Sequence, residues 1–200
     1  MNPHLAWYLA RGTGIVALVL LVASLVWGIL LATRVLRPHD RPAWLLDVHR
    51  WLGALAVAMT LLHLVGLWLD DYLVFGVREF LVPGASPYRP MAVATGVVAL
   101  YVLVAVEVTS LLRKRLTTRM WRSVHALSYA ATWLAVVHGA TAGTDAGAIA
   151  YRTLALALTL LAIAATLVRV VRPPRRSAIA GSVPRRGGVG AADDIRTTLS

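Results

Sequence analysis

The stretch GTGIVALVLLVASLVWGILLAT occupies residues 12–33 and carries no charged side chain. A helix of about 20 residues crosses the roughly 30 Å hydrocarbon core of a bilayer, so this run is long enough to span one. Four more apolar runs of similar length follow, at residues 51–69, 91–112, 123–144 and 153–171. A backbone in hydrocarbon must satisfy its own hydrogen bonds, and these runs are too long for barrel strands. The sequence therefore predicts an all-α, polytopic transmembrane bundle of about five spans.

The composition agrees with a bilayer protein and excludes several kinds of site. Apolar residues make up 58% of the 200 residues, and there is no cysteine. Disulfides, iron–sulfur clusters and zinc–thiolate centres are excluded, because all of them need cysteine sulfur. The net charge of +11 would suggest nucleic acid in a soluble protein. In a membrane protein the same excess orients the chain, so we expect a lipid bilayer and no nucleic acid as partner.

The basic residues are distributed unevenly between the two sides of the predicted spans. Sixteen of the 20 Lys and Arg follow the first and third runs or lie from Arg169, near the end of the fifth, onward, and four lie on the other side. By the positive-inside rule, the N-terminus is expected outside and the C-terminus in the cytoplasm, with the protein in the plasma membrane. The second and fourth spans then run parallel, from the cytoplasm to the exterior.

The segments outside the spans differ in character. Residues 1–172 are expected to form the membrane domain. Residues 173–200, rich in Pro, Arg, Gly and Ser, are expected to be a disordered basic cytoplasmic tail. The stretch 72–82 is apolar with Arg78 and Glu79 in its middle, and it is too short to span. It is interpreted as an interfacial helix on the outer surface, with a reentrant segment as the alternative.

Four of the six histidines lie in two of the spans. His49 and His63 are fourteen residues apart in the second, and His125 and His138 are thirteen apart in the fourth. Each pair is separated by about 20 Å along its helix, so parallel spans place His49 level with His125 and His63 level with His138. A lone intramembrane histidine often only hydrogen-bonds across a helix interface. Two per span at matching depths instead favour two levels of paired axial ligands for haem iron.

The two spacings have different angular consequences. Fourteen residues at 100° each return to within about 40° of the starting face, whereas thirteen miss it by about 140°. The fourth span must therefore present its histidines from different faces, or be rotated or distorted between them.

Small and basic residues accompany the histidines. Gly53, Gly66 and Gly139 are expected to leave room for a flat ring, although each could equally be a helix-packing glycine. Arginines could pair with haem propionates, or could serve as ordinary interfacial anchors. The candidates are Arg50 and Arg122 at the cytoplasmic level and Arg11 at the outer level.

The pattern His49-x13-His63 and His125-x12-His138 resembles the ferric reductase-like transmembrane domain. That family includes ferric reductases, NADPH oxidases and the haem-binding membrane subunit of the bacterial periplasmic methionine sulfoxide reductase system. The resemblance covers about residues 7–170, including WYLARGTGIVAL at 7–18. It implies two b-type haems, the inner one ligated by His49 and His125 and the outer one by His63 and His138.

The resemblance also implies an electron-transfer function. The larger family members carry a cytosolic flavin and nicotinamide domain, and a tail of about thirty polar residues is too short to be one. We therefore expect an oxidoreductase component that takes electrons from a cytosolic flavoprotein reductase or a membrane quinol and passes them to an external or periplasmic acceptor. The alternatives are a haem-free structural or pH- or metal-sensing membrane protein, and a quinol-oxidising cytochrome b, whose lineages tend to equal histidine spacing.

The charge distribution makes a testable prediction about topology. A reporter fused after Ser200 should remain cytoplasmic, and one inserted near Gly143 should be external, because the sixteen-to-four division of Lys and Arg requires it. Alkaline phosphatase and fluorescent-protein fusions measure the two locations. Reversed labelling at both positions would contradict the orientation.

Overall fold

The long apolar runs form long helices. The computed structural model describes residues 4–33, 43–71, 75–143 and 147–171. Its helices are α1 (Leu5–Thr33), α2 (Ala43–Trp68), α3 (Val77–Leu81), α4 (Pro90–Leu111), α5 (Thr118–Ala126), α6 (Ser128–Ala142) and α7 (Ile149–Val171), with a 3₁₀ turn at Arg113–Arg115 between α4 and α5. No strand occurs within these ranges. The all-α bundle predicted from the sequence is confirmed.

Four helices are individually long and apolar enough to cross a membrane, namely α1, α2, α4 and α7. Much of their apolar surface faces outward. Leu61 on α2 and Leu160 on α7 are 55% and 56% exposed. Outward-facing leucines on this scale are costly in water but find a matching environment among lipid chains. The protein is therefore a membrane protein.

The predicted fourth span, residues 123–144, is not one continuous helix. The chain ends α5 at Ala126 and begins α6 at Ser128, with Leu127 between them. The 15 residues of α6 cover about 22 Å, which is short of the hydrocarbon core. The fourth predicted span is thus built from two shorter helices, and the break lies between His125 and His138.

The helices assemble around α1. Helix α2 packs along the length of α1, α4 packs on α6, and both α6 and α7 contact α1. The buried core joins Val22, Val136 and Leu158 from α1, α6 and α7. A second cluster joins Leu25 and Ile29 of α1 to Ala165 of α7. Since residue numbers rise together on both helices, α7 runs parallel to α1.

The loop between α2 and α4 contains less helix than the sequence suggested. Within the stretch predicted as an interfacial helix, Val77–Leu81 is helical, and residues 72–74 lie outside the described part of the chain. Phe80 stacks on Trp68, with ring centroids 6.2 Å apart, and on Phe75 at 5.7 Å. This short helix therefore covers the end of α2 that follows His63.

Several expectations fall outside the described residues. These are the disordered tail at 173–200 and the basic residues of the predicted cytoplasmic loop at 34–42.

The two ends of the bundle are named after the histidines that lie near them, as the His49 end and the His63 end.

Candidate functional site

The structure brings the four intramembrane histidines together in two pairs. The ring centroids of His49 and His125 lie 6.1 Å apart, with an angle of 80° between the ring planes. Those of His63 and His138 lie 6.4 Å apart at 75°. These are the two pairings that the spacing along parallel spans predicts. Each pair joins α2 to the α5–α6 segment.

The helices that carry the histidines do not rest on each other. Helix α2 lies on α1 and α6 lies on α4, whereas α2 and α6 have no extensive contact in the described chain. The imidazoles therefore face each other across a gap between α2 and α6. The supporting helix α1 holds α2 in place, and the supporting helix α4 holds α6. A gap of this kind suits a flat ligand between the rings.

The break at Leu127 resolves the angular problem of the thirteen-residue spacing. The Leu127 N–H donates to the carbonyl oxygen of Val124, three residues earlier, at 2.9 Å. A turn with this shorter hydrogen bond rotates the chain by more per residue than an α-helix does. The extra rotation and the change of helix let His125 and His138 both face α2. The distortion expected from the spacing is present.

At the His63 end, both imidazoles are anchored to backbone carbonyls. His63 Nδ1 lies 2.6 Å from the carbonyl oxygen of Ala10 on α1. His138 Nδ1 lies 2.8 Å from that of Ala92 on α4. A carbonyl can only accept, so each Nδ1 carries the proton and donates. Each Nε2 is then the unprotonated nitrogen with a free lone pair, which is the form in which histidine binds a metal.

At the His49 end, the corresponding partners are serine hydroxyls. His49 Nδ1 lies 3.4 Å from Ser24 Oγ on α1, and His125 Nδ1 lies 3.4 Å from Ser110 Oγ on α4. These contacts are longer than those to the carbonyls and therefore weaker. Within the described ranges, none of the four Nε2 atoms has a hydrogen-bond partner.

Glycines on the supporting helices make room for the imidazoles. A Cβ added at Gly14 would lie 2.9 Å from His63 Nδ1, one at Gly28 would lie 3.1 Å from His49 Cε1, and one at Gly96 would lie 2.6 Å from His138 Nδ1. The sequence reasoning missed all three. A signal was present, because Gly14 and Gly28 are separated by fourteen residues, as are the two histidines that they contact.

The glycines chosen from the sequence have other close contacts. A Cβ at Gly66 would lie 2.5 Å from the backbone nitrogen of Ala10, so Gly66 allows α1 and α2 to approach closely. Gly53 faces the Glu107 carboxylate, and Gly139 faces the Tyr151 hydroxyl. Gly139 also lines the cavity that His63 and His138 border. That these glycines leave room for a flat ring stays a prediction.

A largely apolar cavity lies at the His63 end. His63 and His138 both line it, together with Gly14 and Gly96. Arg11 also lines this cavity, with its guanidinium carbon 4.1 Å from the centroid of the Trp7 ring. The structure therefore places Arg11 at the level for which the sequence proposed it. Other polar groups at the cavity are Asp70, Glu79, Tyr88 and Tyr151.

The two arginines proposed for the His49 end lie differently. Arg50 forms a surface ion pair with Asp47, with Nη1 and Oδ1 3.1 Å apart, and its side chain is 66% exposed. Arg122 is also exposed. No hydrogen bond links either side chain to His49 or His125 in the described chain.

Trp121 is the aromatic neighbour of the His49 pair. Its ring stacks on His125, with centroids 4.9 Å apart and planes 21° from parallel. The Arg113 guanidinium carbon lies 4.5 Å from the Trp121 ring centroid. The sequence analysis did not predict this contact of Trp121 with His125. The spacing i, i+4 on α5 is the signal that could have indicated it.

The paired rings have the dimensions of a metal-bridged pair. A metal–imidazole nitrogen bond is about 2.0 Å long, so one metal held between two opposed Nε2 atoms places the ring centroids roughly 6 Å apart. The observed 6.1 and 6.4 Å agree with this distance. In the described chain, no cluster of three or more His, Cys, Asp or Glu offers a further set of ligands. A metal held here by two histidines would take its remaining ligands from outside the described His, Cys, Asp and Glu side chains.

The fold and the site define a class, an α-helical membrane bundle with two levels of facing histidines. Residues 5–145 match the family described as a domain of unknown function, DUF8596. Because the match covers more than half of the chain, the protein belongs to this family. No curated protein and no solved structure shows significant similarity to the chain. The family description assigns no activity.

Replacing Gly14 by Ala should lower the thermal unfolding midpoint of the purified protein. The new methyl group overlaps His63 Nδ1 and forces the ring away from the Ala10 carbonyl, a change that costs about 1–3 kcal/mol. Gly96→Ala should act similarly through His138. Gly12→Ala is the matched control, since a Cβ there meets nothing within 4 Å. Equal midpoints for the Gly12 and Gly14 variants would contradict the proposed contact.

Proposed function

We propose that this protein is a membrane cytochrome of the b type that binds two haems and carries electrons across the bilayer. The observation that carries the proposal is the pair of facing imidazoles at each level, with every Nδ1 beside a carbonyl or hydroxyl oxygen and no hydrogen-bond partner at any Nε2 in the described chain. His49 and His125 would hold one haem iron, and His63 and His138 the other. A bound haem supplies a carrier that accepts and releases single electrons.

The chemistry of the site favours haem over a simple metal ion. Two histidines leave most coordination positions of a transition metal unfilled, and a porphyrin brings four equatorial nitrogens of its own. The gap between α2 and α6 is bordered by apolar side chains such as Leu64 and Leu100. Such walls suit a flat macrocycle better than a hydrated ion. The alternative of a metal-sensing protein lacks a third protein ligand in the described residues.

The chain's own residues prepare the ligands. Carbonyl acceptors at Ala10 and Ala92 hold the protons of His63 and His138 on Nδ1 and set the orientation of each ring. The hydroxyls of Ser24 and Ser110 lie 3.4 Å from Nδ1 of His49 and His125 and help to orient these rings, although a hydroxyl can either donate or accept. Two facing histidines that only stabilised the fold would hydrogen-bond to each other through their ring nitrogens. The free Nε2 atoms therefore support ligation.

The proposed direction rests on the distribution of charge. With the basic loops in the cytoplasm, the His49 end lies inside and the His63 end outside, in a plasma membrane. A cytosolic flavoprotein or a membrane quinol is the proposed donor, and an external or periplasmic molecule is the acceptor. The ferric reductase-like resemblance of the histidine spacing supports this assignment of ends.

Purified protein should have a reducible b-type absorption spectrum with about two haems per chain. His63→Ala or His138→Ala should remove one haem and leave the other spectrally intact, because each level has its own pair of ligands. Pyridine haemochrome analysis measures the content. His4→Ala is the control, since His4 lies outside both pairs, at the start of α1. A colourless wild-type protein would refute the proposal, and loss of both haems from every single substitution would refute independent sites.

The two levels should titrate at different potentials, with the His63 level lower. Donation to carbonyls at 2.6 and 2.8 Å makes His63 and His138 more strongly electron-donating ligands, which favours the oxidised iron. The contacts of His49 and His125 to serine are weaker, and the Arg113 cation lies near His125 through Trp121. Redox titration should therefore lose its lower step in His63→Ala and its upper step in His49→Ala. The opposite assignment would contradict this order.

A further inference from the structure

The last turn of α6 carries His138 and ends without a left-handed cap. An α-helix leaves its last carbonyl oxygens without amide partners from the helix itself. Helix α6 ends at Ala142, and Gly143 follows it in an extended conformation. A glycine in the left-handed conformation is the common way to satisfy these carbonyls, and it is not used here. The acceptors of this turn therefore need donors from other parts of the chain.

Two neighbouring residues that precede α4 supply such donors. Arg89 Nη1 donates to the carbonyl oxygen of Thr141 at 2.6 Å and, at 3.5 Å, to that of Gly143. The Tyr88 hydroxyl donates to the carbonyl oxygen of Ala142 at 3.2 Å. A cation is also favoured at this position, because the C-terminal end of a helix carries a partial negative charge. The segment before α4 thus caps the end of α6.

A third donor comes from the first turn of α7. The Tyr151 hydroxyl donates to the carbonyl oxygen of Gly139, the residue that follows His138. Glycines allow this approach, since a Cβ at Gly139 or Gly143 would lie 3.3 Å from the hydroxyl oxygen. The turn that carries His138 is therefore held from two sides, by α7 and by the start of α4.

The Arg89 contact and the anchor of His138 belong to one antiparallel register of α4 and α6. Ala92 accepts from His138, and Arg89, three residues before Ala92, binds Thr141, three residues after His138. A step back along α4 is matched by an equal step forward along α6. A turn held at both positions cannot slide or rotate without losing both contacts. The hydrogen bond of His138 to Ala92 therefore depends on the same placement of the turn that Arg89 fixes.

Arg89 has a strained backbone conformation. Its φ of 41° and ψ of 63° lie in the left-handed region, and among the residues that the structure describes it is the only one other than glycine with a positive φ. This conformation is costly for a residue with a Cβ, whereas glycine adopts it readily. An arginine in this place indicates that its side chain contributes something that a glycine would not supply.

We propose that Arg89 is a positioning residue for His138. Together with the two tyrosines, it holds the last turn of α6, so that the imidazole keeps its hydrogen bond to Ala92 and its place opposite His63. The anchoring of the turn does not depend on haem, whereas its effect on a haem iron rests on the proposed function. A loosened turn weakens the Nδ1 hydrogen bond, which makes His138 a poorer electron donor and favours reduced iron.

The test compares variants of Arg89 in the full-length protein. Arg89→Ala removes the side chain and keeps the strained backbone, whereas Arg89→Gly removes the side chain and relieves the strain. A residue that served only the turn before α4 would tolerate glycine. Arg89→Lys keeps a cationic donor. Arg152→Ala is the matched control, because Arg152 is an exposed arginine beside Tyr151 whose side chain makes no hydrogen bond to α6 within the described ranges.

Two measurements separate the anchoring from its effect on haem. The first is amide hydrogen exchange of residues 138–142, followed by mass spectrometry of the protein in nanodiscs. The second is the midpoint potential of the redox step that His63→Ala removes.

Arg89→Ala and Arg89→Gly should both accelerate the exchange of residues 138–142 by roughly tenfold, which corresponds to the loss of one charge-assisted hydrogen bond. Both should raise the midpoint potential of the step that His63→Ala removes and leave the other step unchanged. Arg89→Lys should recover part of each effect, and Arg152→Ala should match the wild-type protein. Tyr88→Phe, which removes one neutral donor, should give a smaller effect of the same sign.

Wild-type exchange and potential in Arg89→Gly would overturn the proposal, because Arg89 would then serve only the turn before α4. Faster exchange with both potentials unchanged would also overturn it, since the anchoring would then not reach His138. A wild-type protein without haem absorbance refutes the cytochrome and leaves the anchoring to the exchange measurement. Acceleration in Arg89→Gly but not in Arg152→Ala would then support the anchoring, and equal exchange in the two variants would refute it.

Discussion

Inside an apolar bundle, each ring nitrogen of an imidazole needs a hydrogen-bond or metal partner, and the rest of the structure depends on this requirement. At the His63 end the Nδ1 protons are held by the carbonyl oxygens of Ala10 and Ala92. Each of these carbonyls belongs to a different helix from the histidine that it binds, so the two helices must approach closely at that point. The positions of α1 and α4 are therefore tied to those of α2 and α6. What remains is a lone pair on each Nε2, directed to no partner in the described chain.

The supports and the ligands are consequently on different helices. Helices α1 and α4 carry the small residues and the acceptors, while α2 and the α5–α6 segment carry the histidines. Gly14 and Gly28 on α1 and Gly96 on α4 admit the rings at contacts where a methyl group would collide. Because each histidine helix rests on its own support, the gap between the histidine helices does not have to be filled by their side chains. This division explains how a small bundle can keep an open centre in lipid.

The two ends of the bundle differ in their polar groups. The His63 end combines carbonyl anchors with a cavity bordered by Arg11, Asp70 and Glu79, which are of both charges. The His49 end has serine contacts, the Trp121 stack and the Arg113 cation. In a low-dielectric interior, the electrostatic effect of these nearby charged and polar groups on each histidine pair is only weakly screened. The same pair of ligands can therefore have distinct chemistry at each level.

The sequence by itself determined the helical class, the approximate span limits and the pairing of His49 with His125 and His63 with His138. These follow from the length of apolar runs and from the constant rise of a helix, both of which are local properties. Only the tertiary structure decided the break at Leu127, the contacts of the glycines at 14, 28 and 96, and the stacking of Trp121 on His125. Each depends on which helix lies opposite, and no periodicity within one helix contains that information. The spacing of thirteen required some distortion, and the structure places it at Leu127, between two helices that both pack against α4.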